Sequence, residues 1–262
     1  MVHYKLINSA GIRSLAVREA AARGMLSLFL QEVQASGLEP YAIVVFNDTD
    51  KTIIASAVRT TLVDRNGKTS IEETIFNNLR LRPNGGVVPN GMEIAARSSR
   101  ILTPARSSTP SGATGSTGSA YTALGATSPS PISEAQEIAK HQSVVVSLDL
   151  VVYEDGRFLG PDEGRLTENI RAQLQVERDL ALSVKQALAS AKDFSVIHDL
   201  LMRKANTSIR PRVPGNGAAD HWLDFFTVLT SNYYLYRASS RQEDLTATID
   251  EMLARPVLML AR

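Results

Sequence analysis

Hydrophobic and polar positions alternate along this chain with two distinct periods, and the period changes mark the predicted elements. Residues 9–36 carry Ile12, Leu15, Ala16, Glu19 and Arg23 at three- and four-residue spacing, then Leu26, Phe29, Leu30 and Val33 as an apolar stripe. That spacing predicts a helix capped by Ser9 and stopped by Gly37 and Pro40. From Tyr41 the pattern becomes β-like. Residues 41–46 form a short apolar run closed by Asn47-Asp48-Thr49-Asp50, side chains that bond their own backbone and tolerate left-handed angles. Residues 52–63 and 68–76, rich in Ile, Val and Thr, flank Asp64-Arg65-Asn66-Gly67 and predict a hairpin in which Gly67 supplies a positive φ.

Turns are expected at 83–86 and 89–91, and an edge-type strand at 92–102. Residues 103–133 are almost wholly Ser, Thr, Gly, Ala and Pro. Such a segment cannot bury enough apolar surface to offset its ordering entropy, so it is expected to be a flexible loop. After a short helical turn at 134–141, residues 144–153 are the strongest strand in the chain, ending at Glu154-Asp155-Gly156 with a brief return over 157–161. Asp162 offers a cap for a helix over 166–190, with Leu166, Ile170, Leu174, Leu180, Val184 and Leu188 along one side. Further helices are predicted over 195–204, from 218 to 236, and from Ser240, which with Glu243 has the capping-box spacing, to Ala254.

Composition narrows the function classes. At 262 residues a globule buries roughly three quarters of its unfolded surface, so core size is no constraint. With 28 basic and 27 acidic residues the formal charge is +1, which gives no overall electrostatic case for nucleic acid or an anionic membrane as partner. No apolar run approaches the length that spans a bilayer. Arg13, Arg18 and Arg23 precede the apolar residues 25–30, but that run is too short for a signal peptide and reads as part of the amphipathic helix. Cysteine is absent, so disulfides, thiolate nucleophiles and cysteine-based zinc sites do not arise. The four histidines, at 3, 141, 198 and 221, form no metal-binding pair.

The segment Phe46-Asn47-Asp48-Thr49-Asp50-Lys51, followed by a strand and then Leu62-Val63-Asp64-Arg65-Asn66-Gly67-Lys68, resembles small immunoglobulin-like β-sandwich domains of bacterial envelope and secreted proteins. In those domains turns of these two kinds occupy successive corners of the sandwich. The resemblance covers about 60 residues, with residues 144–153 as a final strand. It implies an immunoglobulin-like antiparallel sandwich over 41–160 interrupted at 103–133; with the helices read from periodicity on either side, which the family pattern lacks, the expected chain is α+β, with an N-terminal helical segment over 1–40 and a helical region over 161–262. One interrupted sandwich is preferred to two linked domains, because residues 144–153 have no sheet to join on the C-terminal side. The resemblance implies an extracytoplasmic setting, and its motifs are turn chemistry that brings no catalytic residue.

Candidate chemistry is sparse. Glu154, Asp155, Asp162 and Glu163 suggest a calcium site or a carboxylate pair, but they lack calcium-loop spacing and suit a turn and a cap. Asp64, Asn66 and Gly67 fail in the same way. Asp220 and His221 would allow a triad on paper, yet no nucleophile elbow accompanies them, and no phosphate-binding glycine loop occurs. Tyr41, Phe46, Phe76 and Tyr153 are too few to argue a carbohydrate-binding sheet face. Asn47-Asp48-Thr49 and Asn206-Thr207-Ser208 match the N-glycosylation pattern, which matters only in a eukaryotic secreted protein. Trp222, Phe226, Leu229, Tyr233 and Tyr236, spaced four, three, four and three apart, share one helix face, which suits core packing and also a candidate interface. No catalytic, cofactor or metal residue is assigned. The expected protein is a non-enzymatic structural or interaction protein with a protein partner or a homo-oligomeric state; the competing expectation is a carboxylate-dependent hydrolase or carbohydrate-active module using Glu154, Asp155 or Asp162.

Overall fold

The computed structural model describes residues 1–22, 24, 34, 36–77, 93–104, 131–190, 194–209, 218–240 and 242–254. The chain divides into two compact units, the first holding the described residues up to 166 and the second those from 167 onward. The fold is α+β.

The first unit contains two sheets. Strands β1 (Val2–Lys5), β2 (Ile12–Ala16), β3 (Ile43–Asn47), β4 (Ile53–Val63), β5 (Thr69–Asn77), β6 (Ser98–Leu102), β7 (Ser143–Tyr153) and β8 (Phe158–Leu159) alternate with helix α1 (Val17–Ala22), a 3₁₀ turn at Glu39–Tyr41 and helix α2 (Pro131–Ala139). The larger sheet has the order β1-β7-β4-β5 with β8 beside β7, and the smaller sheet the order β2-β3-β6. One core joins them: Ile12, Ile43, Val45 and Leu102 of the smaller sheet cluster with Val58, Leu62, Val144, Val146, Leu148 and Val151 of the larger one, and Ala135 and Ile138 of α2 add to it.

The hairpin forms as its sequence demands. Asp64 Oδ1 accepts from the amides of Asn66 and Lys68, Gly67 takes φ 77°, and β4 pairs with β5 from Val63–Thr69 to Ala55–Asn77. In β7 the burial pattern changes along the strand. Its first half alternates, with Val144, Val146 and Leu148 inward, whereas residues 148–153 are buried on both faces. The near-continuous apolar run of β7 is the mark of a strand covered on both sides.

Three expectations are corrected. The sheets are not wholly antiparallel, as an immunoglobulin-like sandwich would require, because β1 pairs with β7 in parallel, from Val2–Val144 to Lys5–Ser147. The first part of the helix expected over 9–36 is instead a turn and a strand. Ser9 and Ile12 close a tight turn, residues 12–16 are β2, and α1 covers Val17–Ala22; residues 23, 25–33 and 35 lie outside the described residues. Ile12 and Ala16 fit either period. The strand wins because Ser14 between them is also buried, its hydroxyl donating to the Ile7 carbonyl and its amide to Asn8 Oδ1. Third, Asp162 lies four residues before α3 (Leu166–Ser190), at φ 57° in a turn where its carbonyl accepts from the Arg165 amide. Of the expected turns and loop, residues 83–86, 89–91 and 105–130 lie outside the described residues.

The second unit is helical: α3 from Thr167, α4 (Ser195–Ala205), α5 (Ala218–Ser240) and α6 (Gln242–Ala254), with α5 packed on α4 and α6. Ile170, Leu180 and Val184 of α3 are buried as expected, but Leu174 and Leu188 are only half-buried. Asn169, Gln173 and Glu177 take part of the buried arc instead, at four-residue spacing, and Gln173 Nε2 donates to Glu177 Oε1 over 2.8 Å.

One buried side chain ties the first unit's corner together. Asn47, fully buried at the end of β3, donates from Nδ2 to the carbonyls of Lys51, Ile94 and Ala95, and its Oδ1 accepts from the amide and hydroxyl of Thr49. Asn47→Ala should lower stability by about 3 kcal/mol or more, since several buried groups lose partners at once. Asn47→Asp should do comparable damage, because an oxygen would then face three carbonyls. Asn206→Ala, at an exposed helix end, should stay within about 0.5 kcal/mol. Urea denaturation monitored by circular dichroism measures all three.

Candidate functional site

A cluster of buried and charged side chains lies on the face of the larger sheet turned away from the shared core, where Arg59 of β4 stands opposite Glu73 of β5. It is built by an irregularity in the strand pairing. Ala57 lies opposite Leu150 and Val58 opposite Leu148, so Asp149 is an extra residue in β7 with no partner across on β4. Its side chain accepts from the Glu163 amide at 3.0 Å and the Gly164 amide at 2.8 Å, while its own carbonyl accepts from the Asp162 amide. On the neighbouring strands Arg59 lies opposite Glu73, and Arg59 Nη1 is 2.9 Å from Glu163 Oε2. Asp149 and Glu73 are 1% and 2% exposed, so two carboxyl groups lie inside the protein around one segment, residues 160–166.

Gly164 is the contact between them. Its amide binds Asp149, and the space a Cβ would need is already filled by the Glu73 carboxyl group. Gly160, at φ 130°, is likewise pressed against the Asp149 carbonyl and the Ile7 side chain. Burial pushes the Asp149 carboxyl above its ordinary value, opposed by the amides of Gly164 and Glu163 and reinforced by Asp162, with Arg59 pulling the other way.

The acidic residues marked from sequence are divided between two places. Asp155 is ion-paired with Lys51 and, at 2.9 Å, with Arg157, and these hydrogen bonds hold its carboxyl down at about 2. Glu154 Oε1 accepts from the Thr52 amide. Asp162 and Glu163 belong instead to the Asp149 cluster. Among the described residues no group of three or more His, Asp or Glu side chains is placed to hold a metal ion. The side chains of Asp220 and His221 lie outside the described residues. Tyr41 and Tyr153 are buried, Phe76 packs against the core, and Phe46 lies under the Arg13 guanidinium at 5.0 Å, so these four make no open aromatic platform.

The aromatic row of α5 splits. Trp222 and Phe226 are buried and stacked with ring centroids 6.0 Å apart, and the buried row continues through Thr230 to Tyr234 rather than through Leu229 and Tyr233. Tyr234 donates from its hydroxyl to the Glu177 carbonyl at 3.4 Å. Four-residue steps advance about 40° each around a helix, so the buried row slants across α5 and leaves part of the expected stripe outside it. Leu229 is 42% and Tyr236 64% exposed, and Tyr233 is half-buried. A shallow depression of about 360 Å³ also opens beside α2, lined by Tyr41, Gly37, Ala135 and Gln136, with no charged group in its lining.

Asp149 and Glu73 escaped the sequence reading. A signal for Asp149 was present, as the one charged residue within the apolar run 144–153. Glu73 carried none, because its burial depends on a glycine ninety-one positions later. No protein-family model, curated protein or solved structure matches the chain.

Gly164→Ala should destabilise the protein by about 1–3 kcal/mol, the range for overpacking. Its φ is not left-handed, so the cost is steric. The penalty should shrink in a Glu73→Ala background, and a double-mutant cycle in urea reads that coupling. Acid stability has two opposed contributions. Asp155, with its folded-state value depressed, adds stability that is present above the ordinary carboxyl range and is lost as pH falls through about 2. Asp149, raised by burial, costs stability when charged and recovers it as pH falls. Asp155→Asn should therefore be less stable than the parent near neutrality, with the difference closing toward about pH 2 in denaturant midpoints measured across pH.

Proposed function

We propose that the chain is a non-enzymatic protein-interaction component, an immunoglobulin-like sandwich joined to a helical unit that carries the contact surface, and that its partner is a second copy of itself. The observation that carries this reading is the outer face of α5. Leu229, Asn232, Tyr236 and Ser239, spaced three, four and three apart, are exposed on one side of this helix, while Trp222, Phe226 and Tyr234 fill its other side. Tyrosine and aliphatic anchors of this kind are typical of the buried centres of protein interfaces. The exposed row carries no charge, so two copies can meet there without bringing like charges together.

The sandwich part rests on the core shared by two sheets. A hydrolytic reading has less support. Asp155 is consumed by Lys51 and Arg157, and the buried Asp149 serves main-chain amides rather than an open cleft. No helix among the described residues is long and apolar enough to cross a membrane.

Light scattering over about 1–200 μM protein should give a mass above 28.4 kDa that falls to that value in Leu229→Asp/Tyr236→Asp, with the melting temperature unchanged. A wild-type mass of 28.4 kDa over the whole range overturns the self-association. Trp222→Ala, in contrast, should unfold or destabilise the helical unit by about 3–5 kcal/mol, since it empties a buried site.

A further inference from the structure

We propose that the open edge of β1 is a docking site for an extended segment of a partner protein, one that alternates acidic and apolar residues and adds to the larger sheet as a further strand. β1 (Val2–Lys5) is an end strand of that sheet, and β7 is its one neighbour. The phase of the parallel pairing fixes which of its backbone groups are used. Val144 is paired with Val2 and donates from its amide to the Met1 carbonyl at 2.9 Å, so the Met1 carbonyl and the backbone groups of His3 and Lys5 turn toward β7. The amides and carbonyls of Val2 and Tyr4 point the other way, and they have no hydrogen-bond partner among the described residues. β2, an end strand of the smaller sheet, is closed by contrast: the outward amide of Ser14 is taken by Asn8 Oδ1. Free donors and acceptors in a row along a sheet edge are a template for another strand.

The side chains of β1 specify what that strand carries. In an antiparallel addition Val2 and Tyr4 take hydrogen-bonded positions, while His3 and Lys5 take the alternate ones, where facing side chains come closest. His3 and Lys5 are exposed on one face. Lys5 is a cation and the His3 ring carries an N–H donor in either tautomer, so carboxylates are favoured opposite them. On the other face Val2 and Tyr4 pack against the shared core, and apolar side chains opposite them extend it. Glu39, whose charge reaches the Tyr4 hydroxyl, is ion-paired with Arg18 at 3.8 Å, so the edge keeps its basic character. A second copy of the chain fits less well. Two β1 strands paired antiparallel about Tyr4 place each Lys5 opposite a His3 and leave both ammonium groups without a carboxylate. The edge therefore takes a different protein, and its use does not involve the exposed row of α5.

The test uses the full chain and two blocked seven-residue peptides, one alternating glutamate and valine and one alternating lysine and valine, followed by NMR titration and amide hydrogen exchange. The glutamate peptide should shift the Val2 and Tyr4 amides, slow their exchange at least about tenfold at saturation, and bind at least about tenfold more tightly than the lysine peptide. Methylating the backbone nitrogens of its valines, which removes the donors aimed at β1, should abolish binding. His3→Glu/Lys5→Glu, at two exposed positions, should keep the parent's circular dichroism and reverse the preference between the peptides. Equal affinity for the two peptides overturns the proposal, as does binding that leaves Val2 and Tyr4 unperturbed, an unchanged preference in the double variant, or no binding up to about 2 mM peptide. Protection of the Val2 and Tyr4 amides that rises with protein concentration in the absence of peptide also overturns it and assigns the edge to a second copy.

Discussion

The first unit depends on the amide of Asn47. This side chain ends β3 in the smaller sheet, and its three donated hydrogen bonds end on the Lys51 turn, on Ile94 and on Ala95. Ile94 exchanges both backbone hydrogen bonds with Ile53 at the start of β4 in the larger sheet, and Ala95 leads into β6. One buried amide therefore holds the corner where the chain leaves one sheet for the other and the strand that returns. The aliphatic side chains between the sheets supply most of the driving force, which is proportional to area and indifferent to direction. Asn47 adds what they lack, a geometry that only one arrangement of the corner satisfies.

A second constraint acts on the opposite face of the larger sheet. There the extra residue in β7 brings Asp149 to the amides of 163 and 164, and the lack of a side chain at Gly164 makes room for Glu73. Buried carboxyl groups are costly unless they accept hydrogen bonds, and main-chain amides in a strained turn need acceptors, so each requirement answers the other. Both oxygens of Asp149 are committed to main-chain amides.

The helical unit follows a different logic. Its core is only partly apolar, with Asn169, Gln173 and Glu177 along the buried arc of α3 and Thr230 and Ser231 buried on α5. The buried row of α5 slants because it advances by fours, and the residues left outside it, Leu229 and Tyr236, become the exposed row. A stripe drawn by threes and fours from the sequence runs along the helix axis and mixes both sets.

What the sequence determined by itself was local. The Asp64–Gly67 turn, the strands on either side, the helix over 166–190 and the strand over 144–153 follow from side chains acting on their own backbone or from periods within a dozen residues. Turn chemistry in particular needs no distant partner. The tertiary structure decided what depends on residues far apart: the parallel pairing of β1 with β7, the conversion of residues 12–16 from expected helix to strand, the meeting of Asp149, Glu73 and Gly164, and which aromatic residues of α5 face inward. In each case the local pattern was compatible with two outcomes, and the free energy separating them resides in contacts the chain makes only after it has folded back on itself.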